Sequence, residues 1–273
     1  MTGTGSEVSS NETTFRMRRR TPGSFLLVPS SRDGRSVRCQ GQLEGLAAQI
    51  FSVCPSICSI TEQPIKIHYQ WNPNNPADIT LVDSATTKRV RIRPDLKSTT
   101  VTPDFLLDRF EGNSLLVEIK PSTRVGRPDV ARKRRAAQLY AKVAGIQFLT
   151  LTEQDLLCEP LLTNTRLLRR YASFVPCERI VDVIENIVIR EGIAMGEVIN
   201  VASESRSVIW PHVIHMLSNG LLDFDACAKL LTDNSILFPQ ETYRWDPFES
   251  VWARNGLLTA VPTESSGRPA PNR

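Results

Sequence analysis

The spacing of apolar and polar positions changes several times along the chain, and each change marks an element. Leu43, Leu46, Ala47, Ile50 and Phe51 recur at helical spacing, which predicts an amphipathic helix from Gly41 to the Cys54-Pro55 pair. Ile60 to Tyr69 reads as a strand, with Ile65 and Ile67 alternating against Lys66 and His68. The Asn-Pro and Asn-Asn-Pro steps between Trp71 and Ala77 predict a loop. Ile79 to Val82 and Arg89 to Ile92 are weaker strand candidates. Val101 to Phe110 and Ser114 to Ile119 are stronger, and Gly112-Asn113 between them is a hairpin signal. Val130 to Val143 is predicted helical, with Gly145 as its stop, and Ile146 to Leu151 reads as a buried strand. Thr152 is placed to cap a further short helix.

Past about residue 160 the strand signals cease. Leu161 to Phe174, Glu178 to Arg190, Ala194 to Ser203 and Val208 to Asn219 have helical periodicity, and Leu221 to Phe224 resembles the short strand of a wing. The expected organisation is a flexible basic arm over residues 1–22, carrying Arg16, Arg18, Arg19 and Arg20. An α/β domain follows over 23–162, then a helical, winged-helix-like domain over 163–245 and a flexible tail over 246–273. On this division a fragment ending near residue 165 is expected to fold alone.

Composition narrows the function classes. No apolar run approaches the ~18–20 residues that span a bilayer, and the first residues lack the apolar core of a secretory signal. The expectation is a cytoplasmic, nucleoid-associated bacterial protein that does not meet a membrane. A net charge of +4 permits a nucleic-acid partner without requiring one. The six cysteines include no Cys-x-x-Cys pair, so free thiols are expected rather than a zinc site. His212 and His215 stand i, i+3 on a helix with no further metal-ligand cluster nearby, which suggests a surface role. The absence of a Gly-x-x-x-x-Gly-Lys-Ser/Thr loop argues against ATP hydrolysis.

The candidate chemistry lies in the hairpin. Asp104 opens its first strand, and Glu118 and Lys120 end its second. Antiparallel pairing about Gly112 brings Asp104 beside Glu118, and period-two alternation puts Glu118 and Lys120 on one face. Two carboxylates suit Mg²⁺, which prefers hard oxygen ligands. A bound metal polarises a phosphate and acidifies a water, and a lysine can position that water and offset developing charge. Glu44 on the preceding helix is a possible third carboxylate. The bland alternative is a hairpin with solvated charges, and Asp95 is a rival for Asp104. After the site come Arg124, Arg127, Arg132, Lys133, Arg134, Arg135 and Lys142, a cation density that suits a phosphate track as well as a solvated helix face.

These residues also carry a family resemblance. Gln42-Leu-Glu44, Ile60-Thr-Glu-Gln-Pro64, Thr102-Pro-Asp104-Phe-Leu and Val117-Glu118-Ile-Lys120-Pro stand in the order and spacing of TnsA, the endonuclease subunit of Tn7-like heteromeric transposases. The likeness spans roughly residues 35–160 and is weaker beyond. It implies a restriction-endonuclease-like domain of the PD-(D/E)xK superfamily, with a mixed sheet flanked by helices. It implies Glu44, Asp104 and Glu118 as metal ligands, Lys120 as catalytic lysine, and Mg²⁺, with Mn²⁺ as a substitute. It also implies cleavage of the non-transferred (5′) strand at transposon ends, alongside a TnsB-like DDE transposase and a TnsC-like AAA+ ATPase. Restriction or junction-resolving nucleases share this chemistry and are the alternative. A non-catalytic DNA-binding assembly module is a third reading.

Overall fold

The computed structural model describes residues 25–30, 34–83, 95–110, 114–189 and 192–240. The basic arm, the tail, Arg89 to Ile92 and the Gly112-Asn113 turn lie outside these residues.

The chain enters through a hairpin that the periodicity did not indicate, β1 (Leu26–Pro29) against β2 (Ser36–Cys39). Helix α1 (Gln42–Val53) follows close to its predicted bounds and buries Ala47, Ala48, Ile50 and Phe51. The main sheet is mixed and runs β3 (Ile57–Glu62), β7 (Phe105–Arg109), β8 (Leu115–Ile119), β9 (Gln147–Leu151). Its first two pairings are antiparallel and β8–β9 is parallel.

A second sheet has the order β5 (Asn75–Leu81), β4 (Ile67–Asn72), β6 (Lys97–Val101). The predicted strand from Ile60 to Tyr69 is therefore two strands, parted by a corner at Gln63-Pro64. Gln63 takes a positive φ of 44° there, an uncommon conformation for a residue with a side chain. The return path bends at Thr102–Asp104, so β3/β7 and β4/β6 form one long ribbon folded across two sheets. The expected loop from Trp71 to Ala77 is much tighter. Only Pro73 and Asn74 turn, and β4 pairs with β5 on either side. Cross-strand pairing satisfies the backbone there, and this outweighs the local Asn/Pro signal.

Helix α2 (Ser122–Val125) leads into α3 (Pro128–Ala144), which ends on Gly145 in the left-handed conformation. Ala136, Ala137 and Ala141 of α3 pack with Leu116 and Phe148 of the main sheet and Ile67, Tyr69 and Val101 of the second. Small alanines allow that close approach of helix to sheet. Short helix α4 (Glu153–Leu156) begins with a capping box between Thr152 and Asp155. The N-terminal part is thus an α/β domain with a mixed sheet flanked by helices, as expected of a restriction-endonuclease-like fold.

Helices α5 (Leu161–Tyr171), α6 (Glu178–Ile187), α7 (Met195–Val201) and α8 (Arg206–Asn219) follow, with short strands β10 (Ile193–Ala194), β11 (Leu222–Asp223) and β12 (Ile236–Pro239). The three strands form one small sheet, β10-β12-β11. One hydrophobic core runs from Phe51, Phe105 and Val117 through Leu161 and Leu168 to Ile184, Val213 and Leu237. Helix α1 packs on α5 and α8 as well as on β1–β3 and β8. Among the described residues, no helix is long and apolar enough to cross a membrane.

Candidate active site

The site forms at the corner where the two sheets diverge. Asp104 sits at the bend, its main chain held on both sides: its N–H donates to Val117 O (3.0 Å) and its carbonyl accepts from Gln63 N–H (2.8 Å). The register Phe105↔Val117 sets Asp104 beside Glu118, as the hairpin argument expected. The carboxylate Oδ2 of Asp104 accepts from the Ile119 N–H at 2.6 Å. The Lys120 ammonium lies 3.4 Å from Asp104 Oδ2 and 3.1 Å from Glu118 Oε1. It also donates to the Ile119 carbonyl at 3.0 Å. Glu44, in the first turn of α1, accepts from the Gln40 N–H at 2.7 Å. The rival Asp95 precedes β6 in the second sheet, so Lys120 meets Asp104 and not Asp95.

Burial governs the electrostatics. Desolvation pushes the Glu44 carboxyl up to about 7, and the nearby Asp104 charge adds to the rise. Burial also raises Asp104, against the opposing pull of Lys120 and of the Ile119 N–H. Glu118 is raised by burial too, with Lys120 opposing. Burial alone would lower Lys120, but Asp104 and Glu118 together raise it. The cluster therefore holds acids that bind protons more tightly than usual around one cation that keeps its own. Cys39 stands in the same field. Burial first, then Glu44, Glu62 and Asp104, push its thiol up to about 12.

Among the described residues, no group of three or more His, Cys, Asp or Glu side chains is set as a metal cage. The donor set nevertheless fits a hard divalent cation. Glu118 Oε2 is buried with no hydrogen-bond partner, Asp104 beside it supplies further carboxylate oxygens, and Glu44 stands close enough to Asp104 to feel its charge.

The family comparison covers this region. Residues 54–153 match the family model of the TnsA-like endonuclease N-terminal domain. Over this segment the chain is similar to TnsA-like endonucleases. No curated protein matches the chain. The TnsA-like segment contains Asp104, Glu118 and Lys120, whereas Glu44 precedes it on α1.

Around this centre lie two acids to which the motif reading gave no role. Glu62, buried at the end of β3, is paired with Arg35 (2.7 Å) and Arg38 (3.6 Å), tying the β1–β2 hairpin to the corner. Glu153 accepts from the Ser122 N–H at 2.8 Å and from the Ser122 hydroxyl. It thereby latches the segment just after Lys120 to the end of β9, and these bonds lower the Glu153 carboxyl. Ser122 is thus engaged inside the protein. Nothing in the local pattern could pair positions so far apart in sequence.

The cations after the site separate into groups. Arg124, Arg127 and Arg135 are exposed. Lys133 lies close enough to Glu118 to lower its proton affinity. Arg132 turns inward, its guanidinium 3.7 Å from the centroid of the Trp71 ring. His212 is buried rather than on the surface. Its Nε2 accepts from the Cys177 N–H at 3.0 Å and its Nδ1 meets the Val208 carbonyl at 2.7 Å. That pairing fixes Nδ1 as the protonated nitrogen and caps α6 (Glu178–Ile187) at its start.

Proposed function

We propose that the chain is a metal-dependent DNA endonuclease that cuts the non-transferred strand at transposon ends. The observation that carries this reading is the convergence of Asp104, Glu118 and Lys120 in a TnsA-like domain, with Glu44 facing Asp104. Glu44, Asp104 and Glu118 would hold Mg²⁺, or Mn²⁺ in its place. When bound, the ion polarises the scissile phosphodiester and lowers the pKa of a water. Lys120 is held by the Ile119 carbonyl and two carboxylates, a geometry suited to orienting the attacking water and offsetting charge on the phosphate. Exposed Arg124, Arg127 and Arg135, with Lys133 and Arg134, would bring the DNA backbone to the site. Arg132 would contribute by fixing α3 on Trp71.

A nuclease that cuts one strand needs partners that process the other, and the TnsA-like domain points to a TnsB-like DDE transposase and a TnsC-like AAA+ ATPase. The test is an end-cleavage assay with these partners, element-end DNA and Mg²⁺. The expected product is a nick on the non-transferred strand that disappears when Mg²⁺ is chelated and in Asp104→Ala. Undiminished nicking by Asp104→Ala would refute the assignment.

A further inference from the structure

A groove of about 490 Å³ opens between α3 and β9, the end strand of the main sheet. Arg134, Gln138 and Lys142 line one wall at i, i+4 and i+8 on a single face of α3. Phe148 and Ile146 contribute an apolar floor, and Thr150 closes the end nearest the catalytic corner. That end is defined by register, because Thr150 pairs with Glu118 across the β8–β9 ladder. The Thr150 hydroxyl is buried without a hydrogen-bond partner. Among the described residues, no acidic side chain lines the groove and neither Arg134 nor Lys142 has a carboxylate partner.

Unpaired cations, an unsatisfied hydroxyl and an apolar floor beside a nuclease centre define the ligand chemistry. We propose that this groove seats the sugar–phosphate backbone of the DNA strand flanking the scissile phosphate, with Arg134 and Lys142 each taking a phosphate. Their eight-residue separation on α3 spans about 12 Å, the rise of roughly three to four nucleotides of one strand. The floor of Phe148 and Ile146 then meets deoxyribose, and Thr150 gains the polar partner it lacks. A peptide strand added to the outer edge of β9, unpaired among the described residues, is the competing occupant. Such an addition would not need two unpaired cations.

The inference rests on the nuclease reading, and the experiment separates the two. Binding of the full chain to duplex DNA is measured by anisotropy across a salt series, without relying on cleavage. Arg134→Ala/Lys142→Ala should flatten the log K against log salt slope by about 1.8, near 0.9 per lost phosphate contact. Arg166→Ala, an exposed charge on α5, should leave the slope unchanged. Gln138→Glu, a near-isosteric change at an exposed position, should weaken binding several-fold. Thr150→Val should weaken DNA binding yet raise the melting temperature, a pair of effects that a merely structural hydroxyl would not give. A wild-type slope in the double variant would overturn the groove while leaving the nuclease intact. Wild-type affinity in Gln138→Glu would also count against DNA here and favour a peptide strand at β9. Failure of the wild-type chain to bind DNA at any salt concentration would overturn both readings.

Discussion

Lys120 illustrates what one residue can do at a buried corner. Its ammonium stands between two carboxylates that burial would otherwise leave poorly compensated. Losing one preorganised donor costs on the order of 10²–10³ in rate. Lys120→Ala is therefore expected to slow cleavage by that amount with DNA affinity nearly unchanged, read from single-turnover kinetics and anisotropy. A normal rate with weak binding would instead make Lys120 a phosphate anchor. The acids predict a pH effect in the metal-free protein. Glu44 binds its proton more tightly when folded, about 7 against 4.5, so the folded state holds more protons across that window. Stability must then fall as pH rises from about 4.5 to 7, by up to about 3 kcal/mol. Melting curves should show this fall, Glu44→Gln should flatten it, and Mg²⁺ should raise the melting temperature more at pH 7.5 than at pH 5.5. A wild-type curve flat over that range would contradict the assignment. Cys39, pushed up to about 12, should resist alkylation at pH 8 in the native protein while exposed Cys177 reacts. Mass spectrometry of the labelled chain decides this.

At the scale of elements, the site depends on contacts that clamp strand ends. The Glu153 latch joins the start of α2 to the end of β9 and fixes the main chain immediately after Lys120. Small displacements of a positioned group can cost as much as ~10²-fold in rate. Glu153→Ala is expected to reduce cleavage by roughly ten- to a hundredfold while the melting temperature changes little. Ser122→Ala added to it should give less than the sum of the two effects, because both act through one contact. Fully additive losses would show that Glu153 acts elsewhere. The Gln63 corner belongs to the same scale. A non-glycine residue held at positive φ beside the site is kept there by Pro64 and by the bond from its N–H to the Asp104 carbonyl.

Across the whole molecule, the hydrophobic core does not part near residue 162. Helix α1, which carries Glu44, rests on α5 and α8 of the C-terminal part as well as on the sheet. A fragment ending near 165 would expose that face of α1, so the structure revises the expectation that such a fragment folds alone. It should show no cooperative melt and rapid proteolysis, whereas the full chain melts as one unit. A sharp transition in the fragment would restore the independent domain. Helix α8 is itself deeply buried, with Ile209, Val213, Ile214, Met216 and Leu217 inaccessible. Through that buried face, helix α8 supports the fold.

Local pattern determined much of this protein. Helical periodicity placed α1, α3 and α5–α8, Gly145 marked a helix end, and the Asp104 … Glu118-x-Lys120 spacing placed three of the charges together. Those features depend on neighbours within one helix or across one hairpin, where spacing fixes which side chains share a face. The tertiary structure alone decided the rest: the bend that splits Ile60 to Tyr69, the hairpin turning at Pro73-Asn74, and the Glu153 latch. It also drew Arg132 onto Trp71 and buried His212. The Pro73-Asn74 hairpin is local, and its cross-strand pairing outweighs the Asn/Pro signal; the others join positions distant in the chain, and their energy comes from burial and from partners that exist only once the sheets and helices have met.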